Sequence, residues 1–469
     1  MSKKRSRRKN KNKNKSFKII IVVTCIIGVF FIHSKINNNT NEDKKENAIT
    51  SVFNEDAETY EASILAAGDI MVHTPQLQAQ YDSSTKTYDF ENNFKYVKKY
   101  VEKADYSLAN LETTLAGNEV YPYSSYPMFN SPDELADALK DTGFDLLSTI
   151  NNHSFDKSDL GVNRTLYTLK EKGFDAVGTR ENTADDEYII KDINNIKVGI
   201  TSYSYGDVKD DNKYLNGIKI SEECEGKMNV FDSLNVDKAF KTITSTTNKM
   251  KDTDMQVVIL HWGIEYARNE TNFQKQLAQK LCDAGIDIII GSHPHVVEPV
   301  ETITSSNDKN ETLVIYSLGN YISNQRRETV GAYSEDGLMV NIDISKKSNE
   351  EEAKIEKVTC IPTWVNKYSN GYKNIYEIIP IDDEDYLNSI ASLNKYNMKQ
   401  SYNNTASLID TSNIITVVDS PFKYNKSQPY FRGQDFYFYY LLFNSNLPFG
   451  IMSTFISILI LPFPKLISS

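Results

Sequence analysis

The sequence predicts an α/β fold in which helices cover the sheets. From about residue 60, short apolar runs typical of buried strands alternate with amphipathic segments of helical period. Two of the helical segments end on a glycine, Gly173 or Gly285, which suits a helix C-terminus. Alternation of this kind favours an α/β domain with covered sheets.

The predicted elements follow one another without an internal repeat. The predicted strands are residues 63–67, 144–150, 176–177, 198–203, 256–260, 287–290, 313–316 and 338–344. The predicted helices are residues 90–104, 132–142, 159–172 and 271–284. After about residue 380 the pattern fades into a sequence rich in Asn, Ser and Tyr. The main domain is therefore assigned to residues 61–380, and a polar C-terminal extension to residues 381–435.

Composition excludes several classes of protein. A charged fraction of 25% with 11% aromatic residues is ordinary for a folded chain and excludes general disorder. Only 4 Cys residues occur among 469, and one of them lies in the N-terminal apolar run, so no disulfide framework is expected. The formal net charge of −11 argues against nucleic-acid binding by the chain as a whole.

The N-terminus is predicted to be an uncleaved signal-anchor. Residues 1–18 contain ten Lys or Arg and no acidic residue, and residues 19–34 form an uncharged, mostly apolar run. As a helix this run would span about 24 Å, against roughly 30 Å for a bilayer core, and the flanking lysines can snorkel. The positive-inside rule keeps residues 1–18 in the cytoplasm. We therefore expect a single-pass protein of the cell membrane, with the main domain extracytoplasmic.

Two further segments flank the predicted domain. Residues 35–60 are rich in Asn, Lys and Glu without apolar periodicity, which predicts a stalk. Residues 436–469 form an apolar tail that is interrupted by Pro and Gly. This tail is either a second membrane segment or a buried or interfacial hairpin.

The histidines indicate a functional site. Five of the six follow predicted strands directly, namely His73, His153, His261, His293 and His295. A single histidine is more often a structural residue, but five at strand ends are not expected by chance. Ligands of open α/β sheets gather beyond the carboxyl ends of the strands. We therefore expect these side chains to meet at one edge of the fold.

The residue types at these positions favour a dinuclear metal site. Imidazole, carboxylate and amide groups together suit Zn, Mn or Fe, with two ions roughly 3.5–4 Å apart. Such a site needs a bridging carboxylate, which Glu112 offers after the apolar residues 106–109. The sequence lacks a cysteine pair spaced for structural zinc, a Gly-x-Ser-x-Gly elbow, and the glycine patterns of nucleotide-binding loops.

The motifs at these strand ends resemble those of the poly-γ-glutamate capsule synthesis (CapA-type) family. In family order they are GDIMVH (68–73), NLE (110–112), NNH (151–153) with Asp156, HWGIEY (261–266), GSHPHVV (291–297) and YSLGNY (316–321). Together they extend over roughly residues 60–345. The family is similar to calcineurin-like metallophosphoesterases, so the resemblance implies a four-layer α/β/β/α sandwich with two metals at the sheet ends.

The resemblance also implies the metal ligands. They are Asp69, His73, Glu112, Asn152, His261, His293 and His295. Glu112 would bridge two divalent ions, which we expect to be Mn, Zn or Fe. Asn152 and His261 would join His293 on one ion, and His295 would serve the other.

The resemblance implies catalytic residues as well, together with two departures from the phosphoesterase pattern. His153, with Asp156, would be the general acid or the partner of an oxyanion. Asp69 and His73 stand four residues apart instead of two, so His73 is either a ligand or a residue that supports one. Glu112 replaces the usual aspartate. These departures bear more on phosphoesterase activity than on metal binding.

Three residues near the ligands are candidates for substrate binding. They are Glu265, Tyr266 and Asn320, and the alternative role for each is a hydrogen bond that stabilises its loop. Arg326 and Arg327 could attract an anionic polymer, although a solvated surface pair is the expected reading.

The resemblance implies a part in synthesising, exporting or anchoring poly-γ-glutamate or a similar surface polymer. Expected partners are the membrane, a polymer synthase or export proteins of the membrane, and the anionic polymer, with no nucleic acid. Two alternatives remain open from the sequence. One is a metal-dependent phosphodiesterase or nucleotidase that acts on soluble substrates. The other is a non-catalytic scaffold for a polymer synthase.

Overall fold

The computed structural model describes residues 57–422, apart from residues 211 and 391. The predicted basic arm, the signal-anchor, residues 35–56 of the predicted stalk and the apolar tail lie outside the described residues. Within the described residues, no helix has the length and apolar character that a bilayer crossing requires.

The described part of the chain is a mixed α/β structure. Its strands are β1 (Thr59–Ile70), β2 (Tyr81–Asp82), β3 (Thr87–Tyr88), β4 (Tyr106–Leu111), β5 (Leu146–Ser148), β6 (Asp175–Val177), β7 (Tyr188–Ile193), β8 (Ile196–Lys209), β9 (Asn212–Leu215), β10 (Ile218–Lys219), β11 (Val230–Asp232), β12 (Met255–His261), β13 (Ile288–Ser292), β14 (Val300–Thr304), β15 (Glu311–Ile315), β16 (Asn320–Ile322), β17 (Asp336–Lys347), β18 (Lys354–Ser369), β19 (Asn374–Pro380) and β20 (Ile415–Val417). Its helices are α1 (Thr74–Gln80), α2 (Glu91–Phe94), α3 (Lys98–Val101), α4 (Glu134–Thr142), α5 (Ser158–Glu171), α6 (Glu222–Glu225), α7 (Val236–Thr247), α8 (Asn272–Asp283), α9 (Glu384–Ser389) and α10 (Lys395–Ala406).

Two large sheets organise these strands. The first has the order β19-β18-β17-β1-β4-β5-β6, with β16 added to β1 and β20 to β18. The second has the order β10-β9-β8-β12-β13-β15-β14, with β7 and β11 both added to β8. The central strands β1, β4, β5 and β6 are parallel, as are β8, β12, β13 and β15. The carboxyl ends of each parallel set therefore meet at one edge of its sheet.

The alternation of residues along the strands builds the layers. In β1, Ile64 packs into the core between the two sheets, whereas its neighbour Leu65 packs outward against residues of α4. In β12, Val257 joins the same inter-sheet core, whereas Val258 packs outward against residues of α7 and α8. Since successive side chains of a strand point to opposite faces, both sheets are apolar on both faces. The layer order is α/β/β/α, which confirms the predicted four-layer sandwich.

Two predictions of secondary structure need correction. The helix predicted over 90–104 is two short helices, α2 and α3. Hydrogen bonds from Val97 N to Phe94 O (3.0 Å) and from Tyr100 N to Val97 O (2.9 Å) give the intervening turn a tighter i to i−3 pattern. The predicted extension after residue 380 contributes α9, α10 and β20, the last paired with β18. Helix α10 was not predicted because half of its buried residues are polar; the four are Met398, Ser401, Tyr402 and Thr405.

Candidate metal centre

The candidate site lies at the carboxyl ends of the parallel strands. Asp69 stands at the end of β1, and Glu112 directly follows β4. Asn152 and His153 follow β5, His261 is the last residue of β12, and His293 and His295 follow β13. All seven side chains are buried. The first sheet thus delivers two carboxylates, an amide and the His153 imidazole to the same edge at which the second delivers three imidazoles.

Five of these residues form two clusters that could hold metal ions. One cluster is Glu112, His293 and His295, and the other is Asp69, Glu112 and His261, with the offered ligand atoms of each within 4.8 Å of one another. The two clusters share Glu112, as a bridging ligand requires. The grouping differs from the one implied by the resemblance, because His261 lies with Asp69 and His293 lies with His295.

Glu112 is the centre of the arrangement. Its Oε1 lies 3.5 Å from His261 Nε2 and 3.7 Å from His295 Nε2, and this oxygen has no hydrogen-bond partner among the described residues. The side chain is fully buried, and this burial, together with the nearby Asp69 carboxylate, raises the pKa of Glu112 well above its ordinary value. An ionised Glu112 beside Asp69 therefore requires positive charge at this point.

Asn152 and Ser292 hold His261 in one orientation. Ser292 Oγ lies 2.8 Å from Nδ1 of the ring, and Asn152 Oδ1 lies 2.8 Å from Nε2. Burial lowers the pKa of His261 and of His293 well below the ordinary histidine value, so both rings are neutral and each keeps a nitrogen lone pair. Neutral imidazole is the form that binds metal ions.

The loop after β13 presents its two histidines through an unusual backbone. His293 has φ 99° and His295 has φ 58°, values that residues with a Cβ rarely adopt. Such strain is retained where the surrounding structure enforces it, often at functional sites. Nδ1 of His295 lies 3.2 Å from Asp69 Oδ2. In the described part of the chain, neither this nitrogen nor His293 Nδ1 has a hydrogen-bond partner.

The residues present fit a divalent cation. Within residues 57–422 that the structure describes, Glu112 Oε1 and His293 Nδ1 are buried polar atoms without a hydrogen-bond partner, and an unsatisfied buried polar group costs about 1–3 kcal/mol. A cation bound among these atoms would satisfy both. The donor set of oxygen and imidazole nitrogen suits Zn, Mn or Fe.

His153 and Asp156 form a separate pair beside the clusters. His153 Nδ1 lies 2.8 Å from Asp156 Oδ2, and the same oxygen accepts a hydrogen bond from Phe129 N at 2.6 Å. The edge of the Phe129 ring packs on the imidazole, with ring centroids 4.6 Å apart. Since an ionised carboxylate only accepts hydrogen bonds, Nδ1 carries a proton. This geometry fits the catalytic role predicted for the pair.

His73 lies outside both clusters. It precedes α1, and its Nδ1 accepts a hydrogen bond from Asn324 N at 3.3 Å. Its ring and the Phe129 ring meet edge to face, with centroids 5.3 Å apart. Burial of the imidazole away from water lowers the pKa of His73 to about 4. The nitrogen Nδ1 is therefore engaged by the backbone, and a direct role of His73 as ligand stays a prediction.

The three residues predicted to bind substrate lie in different environments. Glu265 is exposed, and Tyr266 is half-buried with its hydroxyl accepting a hydrogen bond from Gln325 Nε2 at 3.1 Å. Asn320 is fully buried, and its amide nitrogen donates to His295 O at 3.1 Å and Ser334 O at 3.0 Å. The contacts of Asn320 thus stabilise the loop that carries His295, and substrate contact by any of the three stays a prediction.

The arginine pair near this loop is partly buried and forms ion pairs with a buried carboxylate. Arg326 Nε lies 3.0 Å from Glu335 Oε1, and Arg327 Nη2 lies 3.1 Å from Glu335 Oε2. Glu335 is buried and also accepts a hydrogen bond from Trp364 Nε1 at 3.2 Å. A buried carboxylate requires such partners. The expectation of a solvated surface pair was therefore wrong.

Two further side chains belong to the site and were missed from the sequence. Asn110 Nδ2 donates to Asp69 Oδ1 at 2.8 Å. Its place two residues before Glu112, on the same side of β4, was a usable signal. Tyr205 on β8 packs on His293 with ring centroids 4.6 Å apart and lies parallel to His261 at 6.2 Å. Nothing local in the sequence indicated this contact.

The part of the chain that carries these motifs is similar to known proteins. Residues 63–325 match the family described as Bacterial capsule synthesis protein PGA_cap. The chain is 30% identical over 271 residues to the PGA biosynthesis protein CapA of Bacillus subtilis (strain 168), covering 57% of this chain and 65% of that protein. It is 27% identical over 275 residues to the Capsule biosynthesis protein CapA of Bacillus anthracis, covering 57% of this chain and 61% of that protein. The chain thus spans less than two thirds of the length of the curated relatives it matches.

A structural similarity is found to the crystal structure of calcineurin-like phosphoesterase YfkN from Bacillus subtilis. It covers 75% of this chain and 99% of that chain, at 17% sequence identity and a TM-score of 0.35. The family match, in contrast, extends over more than half of the sequence and contains every residue of the two ligand clusters. The chain therefore belongs to the bacterial capsule synthesis protein family PGA_cap.

Proposed function

We propose that this protein acts in the synthesis of a poly-γ-glutamate capsule or a similar surface polymer, through a dinuclear metal site with hydrolase-like chemistry. The relatives named for capsule and PGA biosynthesis support the biological role. The ligand clusters at the strand ends support the chemistry. The observation that carries the proposal is the single carboxylate, Glu112, common to both clusters.

The ligand residues would divide between two ions. Asp69 and His261 would hold one, with Asn152 Oδ1 beside His261 Nε2 as a further oxygen ligand. His293 and His295 would hold the other, and Glu112 would bridge both. Divalent ions in such a site polarise the scissile bond and lower the pKa of a coordinated water toward neutrality.

His153 would move the proton. Asp156 accepts the hydrogen bond from Nδ1 and stabilises the imidazolium, so His153 in its protonated form can donate a proton to the leaving group. Phe129 fixes both partners, through its backbone N–H to Asp156 and its ring against His153. General acid catalysis of this kind contributes about 10²–10⁴-fold to a rate.

The proposed location is the outer face of the cell membrane. Its support is the sequence of residues 1–35, in which a basic arm precedes an uncharged apolar run. The substrate would then be an anionic surface polymer or a precursor of it. A polymer synthase or export protein of the same membrane would be the partner. Protease accessibility of the main domain on intact cells, against lysed cells as control, tests this orientation.

The enzymatic proposal is tested by hydrolysis assays on the full-length chain loaded with Mn²⁺, Zn²⁺ or Fe²⁺. Bis(p-nitrophenyl) phosphate reports phosphodiester cleavage, and γ-glutamyl-p-nitroanilide reports cleavage of the amide bond that links the polymer. We expect metal-dependent cleavage of one of them, absent in His293→Ala. Two results together would contradict the hydrolase and leave a scaffold. The first is a purified wild-type protein that binds metal but cleaves neither these probes nor poly-γ-glutamate. The second is normal capsule formation in cells that carry His153→Ala.

A further inference from the structure

The hairpin formed by β9 and β10 extends from the second sheet to a metal-site loop of the first. Its two-residue turn is Asn216-Gly217, with φ 46° and 75°. Positive φ at both positions and the Asn-Gly sequence are typical of the tight turn that joins two antiparallel strands. Asn216 is exposed at the tip, whereas Leu215 is buried with residues of α5 and α6. Apolar packing therefore fixes the hairpin, and its tip is free to contact other groups.

The side chain of Asn216 contacts two residues of the candidate site. Asn152 Nδ2 donates a hydrogen bond to Asn216 Oδ1 at 3.2 Å. Asn216 Nδ2 also lies 3.3 Å from His153 Nδ1, which is a packing contact, since Nδ1 gives its proton to Asp156. Neither contact links residues near in sequence, because Asn216 stands 64 residues after Asn152.

The contact with Asn152 decides which end of an amide faces the metal position. A carboxamide has an acceptor oxygen and a donor nitrogen of nearly the same shape, and only the oxygen can bind a cation. Asn152 Oδ1 lies 2.8 Å from His261 Nε2, on the side of Glu112. With Nδ2 bonded to Asn216, the amide is held with its oxygen toward the ligands. The reverse orientation would place two N–H groups against the cation.

We propose that Asn216 is a positioning residue of the metal centre, which acts by orienting the carboxamide of Asn152. The inference rests on the metal centre of the proposed function and adds a residue from outside the two ligand clusters. Residues that hold metal ligands in place typically change metal affinity about 10–100-fold when they are replaced. The hairpin tip thus couples the outermost part of the second sheet to a ligand carried by the first.

Two substitutions distinguish the effect of the Asn216 side chain from that of the turn conformation. Asn216→Gly removes the amide, and Asn216→Asp keeps an oxygen acceptor for Asn152 Nδ2; both Gly and Asp accept the positive φ of this position. Asn195→Gly is the matched control, because Asn195 is also an exposed asparagine of positive φ (68°) in a hairpin turn. It stands at the opposite end of β8 from Tyr205, about 30 Å away along the strand.

The measurement is titration calorimetry of Mn²⁺ into the full-length chain, with Co²⁺ absorption spectra as a second readout. We expect Asn216→Gly to weaken Mn²⁺ binding by about 10-fold or more and to change the Co²⁺ spectrum, because an oxygen ligand is lost. Asn195→Gly should bind Mn²⁺ with an affinity within about threefold of wild type. Asn216→Asp should bind Mn²⁺ within the same range or more tightly. Both changes are well below the loss expected when a residue that holds a ligand is removed.

The possible failures are distinguishable. Equal affinity and equal spectra for Asn216→Gly and wild type would overturn the positioning role and leave the metal centre intact. A loss shared by Asn216→Asp would overturn the role of the Oδ1 acceptor. A wild-type protein without Mn²⁺ or Co²⁺ binding would overturn the metal centre itself, and the inference with it.

Discussion

The two sheets contribute different chemistry to one site. The first sheet supplies the acidic and amide groups, which are Asp69, Glu112 and Asn152. The second supplies the imidazoles, which are His261, His293 and His295. In each sheet these residues occupy the carboxyl ends of neighbouring parallel strands, so the architecture is the same and only the residue types differ.

Because the two sheets contribute different residue types, the site is complete only at the interface between the sheets. Alone, the first sheet would present two buried carboxylates to each other, and the second would present buried imidazole rings without an anionic partner. Each ligand cluster draws on both sheets. Because its ligands come from both sheets, a bound ion would stabilise the folded chain against unfolding by about 2.7 kcal/mol at a free concentration of 100 times Kd.

The largest expected effect comes from breaking the shared ligand. Glu112→Gln should reduce the affinity for both ions by more than about 100-fold, beyond what loss of a supporting residue causes. It should also abolish the stabilisation of the protein by metal. Titration calorimetry and the free energy of unfolding, each with and without Mn²⁺, measure the two effects.

Two controls sharpen this test. Without metal, Glu112→Gln should unfold at no lower denaturant concentration than wild type, because burial and the Asp69 carboxylate already disfavour the ionised form of Glu112 and glutamine is neutral. Glu265→Gln changes an exposed carboxylate outside both clusters and should retain both ions. If Glu112→Gln kept two tightly bound ions, the bridging role would be wrong.

A second prediction separates proton transfer from metal binding. His153→Ala should lower kcat by about 10²–10⁴-fold while the metal content stays that of wild type. Asp156→Asn should lower kcat by less, because the imidazole remains but loses its carboxylate. Elemental analysis and hydrolysis assays on the same preparations give both values. Loss of metal in His153→Ala would place this histidine among the ligands instead.

A third prediction concerns Glu298, a buried carboxylate between β13 and β14 of the second sheet. Glu298 accepts a hydrogen bond from Gln274 Nε2 at 2.7 Å, and burial raises its pKa to about 8. Below pH 4.5, the ordinary pKa of this carboxyl group, Glu298 is protonated in the folded and in the unfolded protein. As the pH rises from about 4.5 to about 8, Glu298 ionises in the unfolded protein first, so its burial increasingly destabilises the folded protein, and the effect is complete above pH 8.

Glu298→Gln should therefore be about as stable as wild type at pH 4 and more stable at pH 9. The upper limit of the difference is about 5 kcal/mol, from 1.36 kcal/mol per pKa unit. Denaturant unfolding at the two pH values measures it, and a difference independent of pH would contradict a protonated Glu298. Metal affinity should change little, since Glu298 lies outside both clusters.

The smallest expected effect concerns the orientation of His261. Ser292→Ala removes the hydroxyl that lies 2.8 Å from Nδ1 and should weaken metal binding by about 10-fold. Ser204→Ala is its matched control, because Ser204 pairs with His261 from the other side of β12 and its hydroxyl bonds Tyr205 O instead. Equal effects of the two substitutions would assign the loss to packing.

The ligands could be predicted from the sequence because their signals are local. Each follows an apolar run that marks a buried strand, and parallel strands end at a common edge. The match of motifs to a known family then supplied their grouping. In the structure the ligand atoms of His261 cluster with those of Asp69 and Glu112, and those of His293 with His295 and Glu112. This arrangement depends on how the sheets face each other, which no local pattern records, and the division of the ligands between two ions stays a prediction.

The missed parts depend on packing between distant segments. Tyr205 and Asn216 reach the site only because the long strand β8 and the hairpin after it extend past the sheet edge. Helix α10 buries polar side chains, so its period could not be seen. The arginines at 326 and 327 seemed solvated because their partner, Glu335, is buried by the later strands β17 and β18.

The most direct test of the central claim is anomalous diffraction from crystals of the full-length chain grown with Mn²⁺, recorded at the manganese edge. We expect two peaks on either side of Glu112, one near Asp69 and His261 and the other near His293 and His295. A single peak would contradict the bridging role of Glu112. No peak at this edge of the sheets, with Mn²⁺ in excess, would contradict the metal centre.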